Sequence, residues 1–179
     1  MRVFTAIDLP EAVKDSIEKV AAEFRIRWVT PVNREQLHIT LHFLGDVASN
    51  RIGQLKDALS QCSAHKFEIS LTGLSYFSPA RLRVIYVDVG RNAETVSGMH
   101  ADIAGRLGRY GFYPKRETYV PHVTIARVKD RADTGTLAGL IKKYATYDFG
   151  AFEVGSVSLK KSTLTGSGPV YDELYKLEL

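Results

Sequence analysis

Apolar positions along this chain switch between two periods. Residues 2–8 (Arg-Val-Phe-Thr-Ala-Ile-Asp) form a short run rich in apolar and β-branched side chains, as do residues 83–89, and each reads as a strand. Behind the first run, Val13, Ile17, Val20, Ala21 and Phe24 recur at three-to-four spacing, which predicts an amphipathic helix over 10–24 with Pro10 in its first turn. Val96, Met99, Ile103 and Leu107 repeat that spacing and predict a second helix over 93–110. Further helices are predicted over 50–62 and 133–144, strands over 67–74 and 152–159, and a closing pair of strands over 155–164 and 170–177. Gly45-Asp46, Gly73, Gly111, Gly150 and the stretch 166–169 mark turns.

The order of elements repeats. Strand, amphipathic helix, a strand carrying a histidine, helix and strand occur in each half, and three short echoes run in register: Arg2-Val3-Phe4 with Arg83-Val84-Ile85, His38 with His122, and Phe67-Glu68-Ile69 with Phe152-Glu153-Val154. Offsets that drift by only a few residues predict a single domain built from an internal repeat, about 1–80 and about 81–179.

The histidines lie in matching tetrapeptides, His38-Ile39-Thr40-Leu41 and His122-Val123-Thr124-Ile125. Alternation on a strand puts His38 with Thr40, and His122 with Thr124, on a common face, with the apolar residues on the other. Imidazole is the side chain whose unperturbed pKa lets it give or take a proton near neutrality, and the threonine hydroxyls can hold a substrate oxygen. If the halves are related by a pseudo-twofold axis, the two rings face each other across one cleft, an arrangement suited to acid–base work at opposite ends of a transferring group.

Composition narrows the setting. The 179 residues are 45% hydrophobic and 25% charged, an ordinary globular balance, and a net charge of +4 with a pI near 9.1 favours an anionic partner. No apolar run approaches the roughly 18 residues of a membrane span, and the N-terminal residues lack a secretory signal's layout, so a cytoplasmic protein is expected. Cys62 is the single cysteine, which excludes an intrachain disulfide and argues against a cysteine metal site.

With Phe43-Leu44-Gly45 after the first motif, Pro121 before the second, Ala126-Arg127 after it, and the opening Arg2-Val3-Phe4-Thr5-Ala6-Ile7-Asp8-Leu9-Pro10, the chain resembles the two-histidine phosphoesterase superfamily over essentially its whole length. Its RNA 2′,3′-cyclic phosphodiesterases, also called 2′-5′ RNA ligases, are the nearest pattern. The resemblance implies an α+β fold, bilobal, with two antiparallel sheets flanking a central basic cleft and helices outside. It implies metal-independent hydrolysis of RNA 2′,3′-cyclic phosphate ends to 2′-phosphomonoesters without a cofactor, with 2′-5′ joining as the reverse direction. Carried over motif to motif, His122 is the general base, His38 the general acid, and Thr40 and Thr124 hold the phosphate. The sequence itself does not rank the two histidines. The expected partner is RNA with a cyclic phosphate end or a related nucleotide, and a monomer is the default expectation. Two other readings use the same cleft: a non-catalytic RNA- or nucleotide-binding module, and a phosphodiesterase of small cyclic phosphates or 2′-5′-linked oligonucleotides.

Several neighbours compete between chemistry and packing. Arg127 suits phosphate as a guanidinium fork, but strict alternation turns it away from His122, so it needs a bulge or twist to reach the cleft. His42 shares the face of His38 on a regular strand and is a possible substrate contact; its i, i+4 spacing from His38 lacks the glutamate of the zinc-protease motif. Phe43 and Tyr119 are possible base-stacking contacts, and Arg34, Arg81 and Arg116 possible parts of a basic cleft. His65 and His100 read as surface or helix-face residues. The 166–169 stretch lacks the spacing and lysine of a nucleotide-binding loop and reads as a tight strand connection.

Overall fold

A computed structural model describes residues 1–62, 65–77, 82–113, 118–166 and 168–179. Its strands are β1 (Arg2–Asp8), β2 (Val29–Pro31), β3 (His38–Asp46), β4 (Phe67–Tyr76), β5 (Val84–Val89), β6 (His122–Val128), β7 (Asp148–Val154), β8 (Ser156–Thr165) and β9 (Gly168–Glu178). The helices are α1 (Glu11–Ala21), α2 (Ile52–Ser60), α3 (Ala93–Gly108) and α4 (Thr134–Lys143). Each predicted helix is present and one to three residues shorter at one or both ends. The last turn of the first, residues 22–24, tightens to a 3-10 turn that still buries Phe24.

The fold is α+β. All pairings are antiparallel, in the order β7-β4-β5-β6-β3-β1-β8-β9, with the short β2 added to β6. The two halves of this curled sheet meet where β3 and β6 pair at Ile39↔Val123. In strand order β3 corresponds to β6, β1 to β5 and β4 to β8 about that pair. The strands bearing the third sequence echo, β4 and β7, are instead paired with one another through Ile69↔Phe152.

Helices cover one face of the sheet. Their stripes (Val13, Ile17 and Val20 of α1; Leu55 and Leu59 of α2; Met99, Ile103 and Leu107 of α3; Leu137 and Ile141 of α4) join Ile7, Ile39, Leu41, Ile85, Val123 and Ile125 in one continuous core. α1 follows β1 yet packs on β7 and β6, and α3 follows β5 yet packs on β3. Each half therefore lays a helix beneath the other, and separating them would expose apolar surface worth roughly 25 cal/mol per Å².

Several expectations change, among them the turns at Gly45-Asp46 and Gly150, which lie inside β3 and β7. The strand predicted over 152–159 is two strands, broken at Gly155, because β7 pairs with β4 while β8 crosses to β1. Gly73 marks no turn but a bulge inside β4: its φ is +76°, and a Cβ there would lie 2.4 Å from the Ala145 carbonyl oxygen. The 166–169 stretch is the tight connection between β8 and β9, with Thr165 opposite Gly168. No helix among the described residues is long and apolar enough to cross a membrane.

Candidate active site

The junction of β3 and β6 builds the site. Because Ile39 is opposite Val123, antiparallel register places His38 opposite Thr124 and Thr40 opposite His122. Ile39 and Val123 are wholly buried on the helix side, so the four motif side chains share the open face. His38 and His122 become diagonal neighbours on adjacent strands, a relation that sets such residues about 7–8 Å apart, their Cβ atoms somewhat closer.

Both imidazoles are held in the same way. The Nδ1 atom of His38 lies 2.7 Å from the Gln36 carbonyl oxygen, and that of His122 lies 2.7 Å from the carbonyl oxygen of Val120. A carbonyl only accepts, so Nδ1 carries the proton and Nε2 is left as the working atom. The Thr40 hydroxyl, 2.9 Å from His38 Nε2, donates to the neutral ring.

Aromatic rings wall each histidine. Phe4 and Tyr171 lie 5.0 and 5.4 Å from the His38 ring, and Phe77 and Tyr86 lie 4.8 and 5.0 Å from that of His122. This packing strips water from the rings and disfavours the charged form. Burial thus pushes His38 down to about 4, with the carbonyl of Gln36 opposing it and Lys160 and His122 adding smaller repulsions. His122 is lowered by burial first and then by the charge of Arg127.

A bulge in each strand redistributes the residues that follow. Ala6 pairs with Thr40 but Thr5 with His42, leaving Leu41 as an extra residue; likewise Tyr86 pairs with Thr124 but Ile85 with Ala126, leaving Ile125 extra. The extra residue inverts alternation. His42 is consequently turned to the core, 2% exposed, and does not line the cleft as the regular strand predicted. Neither of its nitrogens, nor the Thr5 hydroxyl opposite, has a hydrogen-bond partner among the described residues, and its ring lies 6.0 Å from His100. Phe43 and Arg127 are returned to the open face. Phe43 is 60% exposed, 6.0 Å from Phe4, and Arg127 is close enough to influence both His122 and Tyr171.

Tyr119 is engaged otherwise than expected. Its hydroxyl donates to the Thr40 backbone carbonyl at 3.0 Å and its ring stacks on His100 at 3.9 Å, which makes it a strut beneath β3 instead of a free stacking surface. His100 also meets the Leu41 carbonyl from α3, while His65 is exposed. Arg34 is spent on Glu11 and Asp15, with Glu18 and Glu35 nearby, and Arg81 and Arg116 lie outside the described residues.

Sequence reasoning missed two aspartates. Asp8 stands opposite His38 and Asp88 opposite His122, each at the matching place on the neighbouring strand. The endings Ile7-Asp8 and Val87-Asp88 were the available signal, one residue out of phase with the Arg-Val echo. Asp8 also accepts from Ser158 at 2.8 Å and pairs with Lys160, whereas partial burial raises the pKa of Asp88. Tyr171 carried no local signal, because only the pairing of β9 on β8 brings it to His38.

An antiparallel α+β sheet that presents two carbonyl-backed imidazoles and two hydroxyls on one face defines a two-histidine phosphoesterase site. The chain belongs to the 2′-5′ RNA ligase superfamily, whose model matches residues 9–164. It is 36% identical over 173 residues to an RNA 2′,3′-cyclic phosphodiesterase of Methanocaldococcus jannaschii (96% of this chain and 97% of the relative), and 32% identical over 179 residues to that of Aquifex aeolicus (96% and 93%). Among solved structures, a protein of Thermus thermophilus superposes with a TM-score of 0.83 at 27% identity, covering 100% of this chain and 98% of that one. Escherichia coli LigT complexed with 3′-AMP gives 0.83 at 20% identity over 99% and 97%, a likeness of fold.

Proposed function

We propose that this protein hydrolyses RNA 2′,3′-cyclic phosphate ends to 2′-phosphomonoesters, with His122 as general base and His38 as general acid. The observation that supports this reading is the Ile39↔Val123 pairing, which makes His38 and His122 diagonal neighbours whose Nδ1 atoms both face backbone carbonyls, so that in this proposal the two Nε2 atoms bracket one phosphate. Family membership and relatives named for this activity support it.

In the proposed reaction, His122 Nε2 takes a proton from water as its oxygen forms a bond to phosphorus. The bond from phosphorus to the 3′ oxygen breaks, and that oxygen takes the proton from His38 Nε2. Thr40, Thr124 and Arg127 hold the non-bridging oxygens while charge redistributes. The acid must enter the cycle charged although burial disfavours it, and the bound phosphodiester anion supplies the compensating charge. Proton exchange with solvent restores both rings. The assignment of base and acid follows the superfamily pattern, and with the 5′ hydroxyl of a second RNA in place of water the same groups would join it to the cyclic end, His122 taking its proton as the bond to the 3′ oxygen breaks and leaves a 2′-5′ linkage. Phe43, exposed beside Phe4, is the substrate-contact candidate on the His38 side. We read residues 1–80 and 81–179 as the two halves of an internal repeat that contribute one motif each.

The test is direct: incubate the protein with RNA ending in a 2′,3′-cyclic phosphate, in chelator, and resolve the product ends. A 2′-phosphate is expected; no product, or a 3′-phosphate, overturns the proposal.

A further inference from the structure

The two rims of the cleft differ in how their cations are used. On the His38 side, Lys14 pairs with Glu11, Arg34 with Glu11 and Asp15, Lys160 with Asp8 and Lys161 with Asp172. On the His122 side, where β2 pairs with β6, Arg27, Arg127, Lys129 and Arg131 are all exposed, and none has an ion-pair partner among the described residues. The acids nearby are already committed: Asp130 pairs with Arg83 at 2.6 Å and Asp133 caps α4 through the Gly135 and Thr136 amides.

Trp28 stands in the middle of these cations. Its backbone carbonyl accepts from the Lys129 amide at 2.9 Å, extending the register in which Thr30 faces Arg127. The guanidinium carbons of Arg27 and Arg131 lie 5.0 and 5.7 Å from the indole centroid, one from the turn before β2 and one from the turn after β6. The residue is only partly buried and holds a φ of +70°, a strained conformation for a bulky side chain. This strip continues the site: Arg127 acts on His122, and Lys129 lies two strand residues, about 7 Å, beyond it.

We propose that the Trp28 rim is the track for the RNA body, where one unpaired base of the strand leading to the reacting end stacks on the indole and its flanking phosphates meet Arg27, Lys129 and Arg131. The proposal rests on the hydrolytic reading above and adds to it a place for the nucleotides away from the reacting phosphate. Exposed cations without an ion-pair partner among the described residues, beside a partly exposed aromatic ring, are the chemistry of single-strand binding, since every base has a face to stack and every linkage a charge to meet. A duplex offers no free base to the ring, so the occupant is single-stranded RNA.

Trp28 is the single tryptophan of the chain, so its emission reports this rim alone. The probe is a single-stranded hexanucleotide RNA with a 3′-phosphate, titrated while tryptophan emission and the anisotropy of a 5′ label are both followed. Saturable quenching that parallels the anisotropy is expected. Trp28→Ala should weaken binding about fivefold or more, and Trp28→Phe less. Arg27→Gln with Arg131→Gln should lower the slope of log K against log salt by about 0.7 for each phosphate that is no longer neutralised. Circular dichroism checks that the variants remain folded, and the two surface arginine changes carry the test if Trp28→Ala does not. Binding with no change in emission, no binding, or arginine variants with the parent affinity and salt slope would each overturn the track. Hydrolysis of a cyclic mononucleotide by the unaltered protein, a substrate too short to reach Trp28, tests the reaction separately.

Discussion

Ile39 and Val123 face each other across the junction of β3 and β6, and this apolar pair sets the site on the opposite face. Neither histidine contributes to that contact, so either can be removed without unfastening the halves. His38→Ala and His122→Ala should each lower kcat on a cyclic phosphate by about 100-fold to 10,000-fold, the usual worth of a positioned proton-transfer group. Because the rings act as a pair, the double variant should lose little more than the worse single one. Thermal melts of all three should stay close to that of the parent; a folded single variant with full turnover would remove that ring from the reaction.

Arg127 should have two separable effects. Its cation holds down the pKa of His122, after burial, and it reaches the open face, where the proposed phosphate would sit, only because Ile125 bulges. Arg127→Gln should therefore raise the His122 pKa, moving the acidic limb of the rate profile to higher pH, and lower kcat/KM by about 10-fold to 100-fold for the missing charged hydrogen bonds. Titration of the imidazole by NMR checks the first effect and steady-state kinetics the second. A His122 titration unmoved by the change would place Arg127 away from the ring.

Acid should destabilise the fold through its buried rings. His38 and His42 have folded pKa values near 4, both lowered chiefly by burial, against about 6.5 in an unfolded chain. Above pH 6.5 both states hold neutral rings and nothing is lost. As pH falls from 6.5 toward 4, only the unfolded chain takes up protons, so stability drops by up to about 1.4 kcal/mol per pH unit per ring. His42 lies outside the cleft, so His42→Leu isolates its share: the difference in urea-unfolding free energy between pH 7 and pH 5 should shrink. An identical pH dependence in that variant would show that His42 is not protonated on unfolding.

The legible parts of the fold were those written in local periodicity. The helices showed because their apolar stripes face a single core, and β1 and the motif strands showed because their runs are short and β-branched. The overlapping readings of strands over 152–159 and 155–164 left the break at Gly155 undrawn, because this stretch has one continuous strand-like composition and only the divergence of partners β4 and β1 splits it. At the site, His38, Thr40, His122 and Thr124 were readable from a repeated tetrapeptide. The inversion of His42 and Arg127 was not, since the bulges at Leu41 and Ile125 arise from register with β1 and β5, a relation between distant segments that no local pattern encodes. The expected stacking role of Tyr119 failed for the same reason: His100, which covers its ring, arrives from α3.

Tyr119 offers a test of strut against substrate contact. Its hydroxyl serves the Thr40 carbonyl at 3.0 Å, and burial pushes the phenol well above its ordinary pKa, so it acts as a neutral donor. Tyr119→Phe keeps the ring and its stack on His100 but leaves the carbonyl without this donor, at a cost of about 1–3 kcal/mol. In a chain of this length, each 1 kcal/mol lowers the melting temperature by roughly 2–4 °C. The KM for a cyclic mononucleotide should not change, because the hydroxyl points to the backbone of β3. A raised KM with an unaltered melting temperature would instead make Tyr119 a substrate contact and return it to the cleft wall.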